Sequence, residues 1–238
     1  MKTCECGHTG YWSELPGGQA TYCFGCHQTF PSTGQGALES GRMVIDRLDS
    51  LDPYAAEPFA LPEESRPLRT TDWLERWPVV TPELAKKFGW YIAEINTFEY
   101  LVMPITHKGA AIFYSARSLD TRAPKKYHYP AGVKRNYWLS DDQLARQPIF
   151  LCEGVADAVS LSTYGSSVGL LGGFYDGCLN DLLKGRKVIV AFDGDFQGYC
   201  LGVQVASKIA GICQVSLCAY LGKDPTNWTR EEAEKACL

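Results

Sequence analysis

The chain has 238 residues, a formal net charge of −4 and 45% apolar residues. That is enough chain and apolar content for one large packed domain or two smaller ones, and it excludes a wholly disordered protein. The acidic balance excludes a general basic coat for nucleic acid, so any such binding must use a local patch, and no apolar run is long enough to span a membrane.

The first residues, Met1-Lys2-Thr3-Cys4-Glu5-Cys6, lack the apolar core of a signal peptide, so a cytoplasmic protein is expected. Four of the ten cysteines come early, as Cys4 and Cys6, then Cys23 and Cys26. Two close pairs at this separation suit a zinc ribbon, because four thiolates complete a closed tetrahedral site. The first pair is tighter than the usual knuckle, so His8 or His27 could replace Cys4 as a ligand. So short a segment has few apolar residues, and one structural Zn2+ would supply its folding energy. Leu15-Pro16-Gly17-Gly18 reads as a hairpin turn inside it. The six later cysteines are expected to be reduced core or surface thiols.

Residues 1–33 are thus expected to form the ribbon. Residues 34–66 are expected to be a linker, rich in Gly, Pro and Glu, with a short helix possible over Met43 to Leu48. From residue 67 the pattern predicts short helices over Asp72 to Trp77 and Pro82 to Phe88, the second capped by Thr81. Two antiparallel strands follow, from Glu99 to Ile105 and Gly109 to Arg117, joined by a turn at His107 to Gly109. Then comes a basic stretch: Arg117, Arg122, Lys125, Lys126, Lys134 and Arg135, interleaved with Tyr127, Tyr129, Tyr137 and Trp138. Cations among aromatics suit a phosphate backbone and stacked bases. These features mark 67–146 as a mixed α+β basic subdomain.

Over 147–238 strand-like and helix-like segments alternate regularly. Strands are predicted at Ile149 to Cys152, Ser167 to Leu171, Lys187 to Phe192 and Gln214 to Tyr220. Helices are predicted at Ala156 to Tyr164, Asn180 to Lys184, Tyr199 to Ala210 and Arg230 to Cys237. That alternation is the pattern of an α/β parallel sheet flanked by helices, whose crevice lies at the carboxyl ends of the strands. Acids fall at those ends: Glu153 with Asp157 one helical turn later, Asp193 with Asp195, and Asp224. Five carboxylates along one edge would repel strongly without a counter-charge. One or two Mg2+ ions, or Mn2+, would supply it.

Three motifs in this order, Glu153-Gly154-Val155-Ala156-Asp157, Asp193-Gly194-Asp195 and Gly222-Lys223-Asp224-Pro225, resemble the Toprim domain shared by bacterial and phage primases and by topoisomerases. Arg117-Ser118-Leu119 with Lys125-Lys126-Tyr127 is similar to the basic subdomain of a primase polymerase core, and Lys86-Lys87-Phe88-Gly89-Trp90 to a segment of phage primase-helicases. The cysteine ribbon resembles the primase zinc-binding domain, so the resemblance covers nearly the whole chain. Two departures stand out: the tight first cysteine pair, and Tyr199-Cys200 after Gly198, where the family often has a polar or basic residue. No Walker A motif appears, and no fused helicase is expected.

The resemblance implies a stand-alone DNA primase that makes short RNA primers on single-stranded DNA. Its substrates would be ribonucleoside triphosphates, its partner a separate replicative helicase, and its place the cytoplasm, the host's if phage-encoded. It implies catalytic roles for Glu153, Asp193 and Asp195. Magnesium would bind among Glu153, Asp157, Asp193, Asp195 and Asp224. Nucleotide or DNA contacts fall to Arg117, Arg122, Lys125, Lys126, Lys134 and Lys223. A Toprim nuclease, or a non-catalytic DNA-binding adaptor of replication, would use much the same residues.

Overall fold

A computed structural model describes residues 60–238 except 74, 132, 134–136 and 173–174, together with the backbone of three strands within 12–31. The chain divides into two units, Met1–Ala55 and Ala56–Leu238. In the first, β1 (Trp12–Glu14), β2 (Ala20–Cys23) and β3 (Gln28–Pro31) pair antiparallel in that order. The expected turn at 15–18 lies between β1 and β2 but outside the described residues. So do Cys4, Cys6, Cys26, His8 and His27, while Cys23 is described only by its backbone at the end of β2. The expected helix over 43–48 is also outside them.

The second unit holds two five-stranded sheets. The first has the order β4 (Glu64–Arg66), β5 (Tyr91–Ile95), β6 (Phe98–His107), β7 (Ala110–Ser118) and β8 (Tyr127–His128), all antiparallel. The long β6–β7 hairpin is the predicted one. Its middle is buried on both faces, which explains its nearly unbroken apolar run. β5 joins β6 through Asn96 and Thr97, both at positive φ (50° and 68°), the conformation of a tight hairpin turn. Helix α1 (Pro82–Lys87) starts as predicted, with the Thr81 side chain accepting from Leu84 N at 3.3 Å.

The helix expected over Asp72 to Trp77 does not form. A 3-10 turn at Thr70–Asp72 is followed by turns. Trp73 and Trp77 instead meet Trp90 edge-on, with ring centroids at 6.3 and 5.7 Å. The apolar spacing that suggested a helix serves this tryptophan cluster, and Trp73 Nε1 donates to Val80 O at 2.9 Å to close the loop.

The second sheet has the order β13 (Gln214–Cys218), β12 (Lys187–Ala191), β10 (Ile149–Cys152), β11 (Ser166–Gly169) and β9 (Trp138–Leu139). The first four are parallel, and β9 adds antiparallel at the edge beside β11. Helices α2 (Val155–Leu161), α3 (Asn180–Leu183) and α4 (Phe196–Ile209) connect the parallel strands, and α5 (Arg230–Ala236) follows. β10 and β12 are fully apolar in sequence because they are buried on both faces. The sheets meet where β9 packs on β6 and Phe88 contacts Trp138 edge-on at 4.8 Å.

From β10 the chain leaves to one side, to β11. From β12 it leaves to the other, to β13. The carboxyl ends of β10 and β12 therefore border a topological switch point, where a crevice opens outside the sheet. Among the described residues, no helix is long and apolar enough to cross a membrane.

Candidate active site: an acidic rim beside a cationic strip

The register fixes the rim. Cys152 of β10 is level with Ala191 of β12, so Glu153 and Asp193 leave adjacent strands within two residues of each other. Asp195 caps α4, its carboxylate accepting from Gly198 N at 2.6 Å. Asp224 is brought in by a backbone clamp: Gly194 N donates to Lys223 O at 3.0 Å, and Gly222 N donates to Gly194 O at 2.9 Å. Only glycine fits at 194, since a Cβ there would collide with the carbonyls of Tyr220 and Lys223. Asp157, in the first turn of α2, accepts from Gly154 N at 3.2 Å, and the nearby Thr226 backbone helps to hold its charge. The same helix meets the segment after β13, where Ser160 Oγ donates to Pro225 O at 3.5 Å.

These carboxylates feel one another. Burial, then Asp157, Asp224, Glu153 and Asp195, push the Asp193 carboxyl up to about 8. Burial, then Asp224 and Glu153, push Asp157 up to about 7, against the backbone donors that hold its charge. Glu153 is also raised, by burial first and then by Asp195 and Asp224, with Lys126 opposing. Beneath them the Cys152 thiol is raised by burial and by Asp157 and Asp193, which leaves it unreactive.

The structure thus gathers the five predicted acids along one edge. Among the described residues, no three His, Cys, Asp or Glu groups stand close enough to grip one ion as placed. Two of the acids are turned toward backbone N–H groups, Asp195 to Gly198 and Asp157 to Gly154. The donor chemistry fits a hard divalent cation: the set is all carboxylate oxygen, and its members resist ionising together.

Facing this rim is part of the basic stretch. Lys126 is near enough to Glu153 to oppose its pKa rise, and Tyr127 feels Asp157. The Arg117 guanidinium lies over the Tyr127 ring at 4.8 Å, with Lys126 Nζ at 5.9 Å from the same centroid. Tyr127 stacks on Tyr129 at 6.3 Å, and Tyr129 stacks on Phe113 at 6.0 Å. Lys125 is exposed on the same loop. The remaining predicted cations are differently engaged. Arg122 is paired with Asp120 at 2.7 Å, and Lys223 with Glu232 at 2.6 Å. Lys134 lies outside the described residues.

Sequence reasoning missed Phe196, because the helix was expected to begin at Tyr199. The N-cap rule applied to Asp195, with Gly198 three residues on, would have found the earlier start.

No family model matches the chain, and no curated protein matches it by sequence. Solved structures do match. One is the zinc-binding and RNA polymerase domains of the Aquifex aeolicus primase, with a TM-score of 0.55, 16% identity, and coverage of 98% of this chain and 76% of that one. Another is the RNA polymerase domain of the Mycobacterium tuberculosis primase DnaG in complex with double-stranded DNA, with a TM-score of 0.53, 16% identity, and coverage of 86% and 80%. The described residues share the fold of these two matched structures. At this identity the likeness speaks for architecture alone, and function must be argued from the site. The acidic rim occupies the switch-point crevice described above.

Proposed function

We propose that the chain is a DNA primase, a DNA-directed RNA polymerase that builds short RNA primers on single-stranded DNA. The observation that carries this reading is the convergence of Glu153, Asp157, Asp193, Asp195 and Asp224 at the switch-point ends of β10 and β12 and the loop after β13, with Lys126 beside Glu153. Such a frustrated acidic edge beside cations suits a polyanionic substrate that arrives with its metal.

Asp193, Asp195 and Asp224 would hold Mg2+ or Mn2+, and Glu153 would be either a further ligand or the proton acceptor. Asp157, buried and already accepting from Gly154 N, is better suited to fixing the turn after β10 than to direct coordination. The bound cation would neutralise charge that develops on the phosphates and lower the pKa of an attacking hydroxyl. In the reaction a 3′-hydroxyl oxygen bonds to the α-phosphorus of a ribonucleoside triphosphate, and the bond to pyrophosphate breaks. Glu153, with its raised pKa, is suited to accept the hydroxyl proton. Arg117, Lys125 and Lys126 would hold triphosphate and template phosphates, and Tyr127 keeps the Arg117 guanidinium in place. Zn2+ at Cys4, Cys6, Cys23 and Cys26, or with a histidine in place of Cys4, would organise the amino-terminal ribbon. A separate helicase would supply the unwound template.

The test is incorporation of labelled ribonucleotides on single-stranded oligonucleotides with Mg2+. Products should be template-dependent and sensitive to ribonuclease. Asp193→Asn and Glu153→Gln should each lose about 100-fold or more while the circular dichroism spectrum is kept. Cleavage of the DNA without any ribonucleotide product would assign the rim to a nuclease instead.

A further inference from the structure

Two aromatic rings stand in water beside the acidic rim. Phe196 is 84% exposed and Tyr199 52% exposed. Both lie in the first turn of α4, three residues apart and so on one face. Helical side chains lean toward the helix N-terminus, which carries both rings back toward the turn that holds Asp193 and Asp195. Neither ring packs on another ring among the described residues.

Their register against the acids is rigid. Gly198 presses on the Asp193 backbone so closely that a Cβ would collide with the Asp193 carbonyl. Asp195 fastens the same turn through Gly198 N at 2.6 Å. α4 carries a single charged residue, Lys208 in its last turn, so beyond its Asp195 cap the helix adds no carboxylate to the rim.

We propose that Phe196 and Tyr199 form a stacking platform for the base of a nucleotide whose phosphates are held at the acidic rim. This rests on the primase function proposed above. One base needs one or two rings, and stacking tolerates any base. The large apolar side chains exposed on α4 are few, Phe196, Tyr199 and Val203, and two rings one turn apart match the flat face of a single base. The base can belong to the incoming ribonucleotide or to the 3′-terminal nucleotide of the growing strand, since both present the same flat face.

The experiment compares the wild-type full chain with Phe196→Ala, Tyr199→Ala, the double variant and Phe196→Trp, each checked by circular dichroism. One arm follows quenching of 2-aminopurine ribonucleoside triphosphate fluorescence with Mg2+. The other measures steady-state extension of a dinucleotide on a single-stranded template. The platform predicts quenching by wild type and by Phe196→Trp, and its loss in the double variant. It also predicts a KM raised about tenfold with kcat within about twofold. A rise in the triphosphate KM assigns the platform to the incoming nucleotide; a rise in the dinucleotide KM alone assigns it to the strand end. If wild type makes template-dependent RNA and the double variant keeps both KM values, the platform is wrong and the primase reading stands. If wild type makes no such RNA, both fall. Wild-type self-association in sedimentation equilibrium that the double variant abolishes would make the rings a contact between copies and overturn the platform.

Discussion

Asp193 and Asp157 carry the clearest consequence at the scale of single residues. Both are raised in the folded protein, to about 8 and about 7, whereas in the unfolded chain they titrate near the ordinary carboxylate value of about 4. A folded state with raised carboxyl pKa binds more protons than the unfolded one between those limits. Its contribution to stability is therefore complete at low pH and is lost as pH rises through about 4 to 8. Metal-free protein should melt at progressively lower temperature over that interval, and added Mg2+ should raise the melting temperature more at pH 8 than at pH 5. Asp193→Asn should flatten both trends; a wild-type melting temperature that climbs steadily with pH would contradict the account. The acids were legible in the sequence because a strand that ends in a carboxylate is a local pattern. Arg122 was not legible as a paired residue: its partner Asp120 is close in sequence, but which cations turn inward depends on the loop. Phe196 was hidden for a related reason, since a phenylalanine at a helix start reads as core until its exposure is seen.

At the scale of elements, α4 contains an internal comparison. Gly198 faces the Asp193 backbone, which cannot move without the rim, whereas Gly202 faces the flexible end of Leu217. Gly198→Ala should cost about 1–3 kcal/mol or more and impair activity with it. Gly202→Ala should stay within about 1 kcal/mol of wild type, because better helix propensity offsets the crowding. Urea melts of the two variants check this, and equal losses would deny that the helix start is locked onto Asp193. The parallel strands and their helices were readable because period and punctuation agreed along the whole alternating region, with boundaries off by a few residues. β4, β5, β8 and β9 were not readable, and β4 lies inside the expected 34–66 linker. β8 and β9 are two residues each, and the β5 hairpin turns at Asn96-Thr97 without a glycine to mark it. The lost helix near Trp73 shows the converse. Its spacing was real, but the tryptophans used it to meet Trp90 through a loop.

For the whole molecule, a net charge of −4 means that DNA must be held by a local strip against general repulsion. If Arg117, Lys125 and Lys126 each neutralise one phosphate, log affinity for single-stranded DNA should fall against log salt with a slope of about −2. Lys126→Ala should reduce that slope by about 0.7, measured by fluorescence anisotropy with a labelled oligonucleotide. An unchanged slope would place the DNA elsewhere on the surface.

The most direct measurement is a Mn2+ titration followed by electron paramagnetic resonance, on the wild-type chain and on Asp193→Asn, at pH 8 and again at pH 5. An acidic edge that traps divalent cations predicts saturable Mn2+ binding by wild type, weaker at pH 5 because protons compete, and lost in Asp193→Asn while the fold is kept. Equal Mn2+ binding by both proteins at both pH values would contradict it.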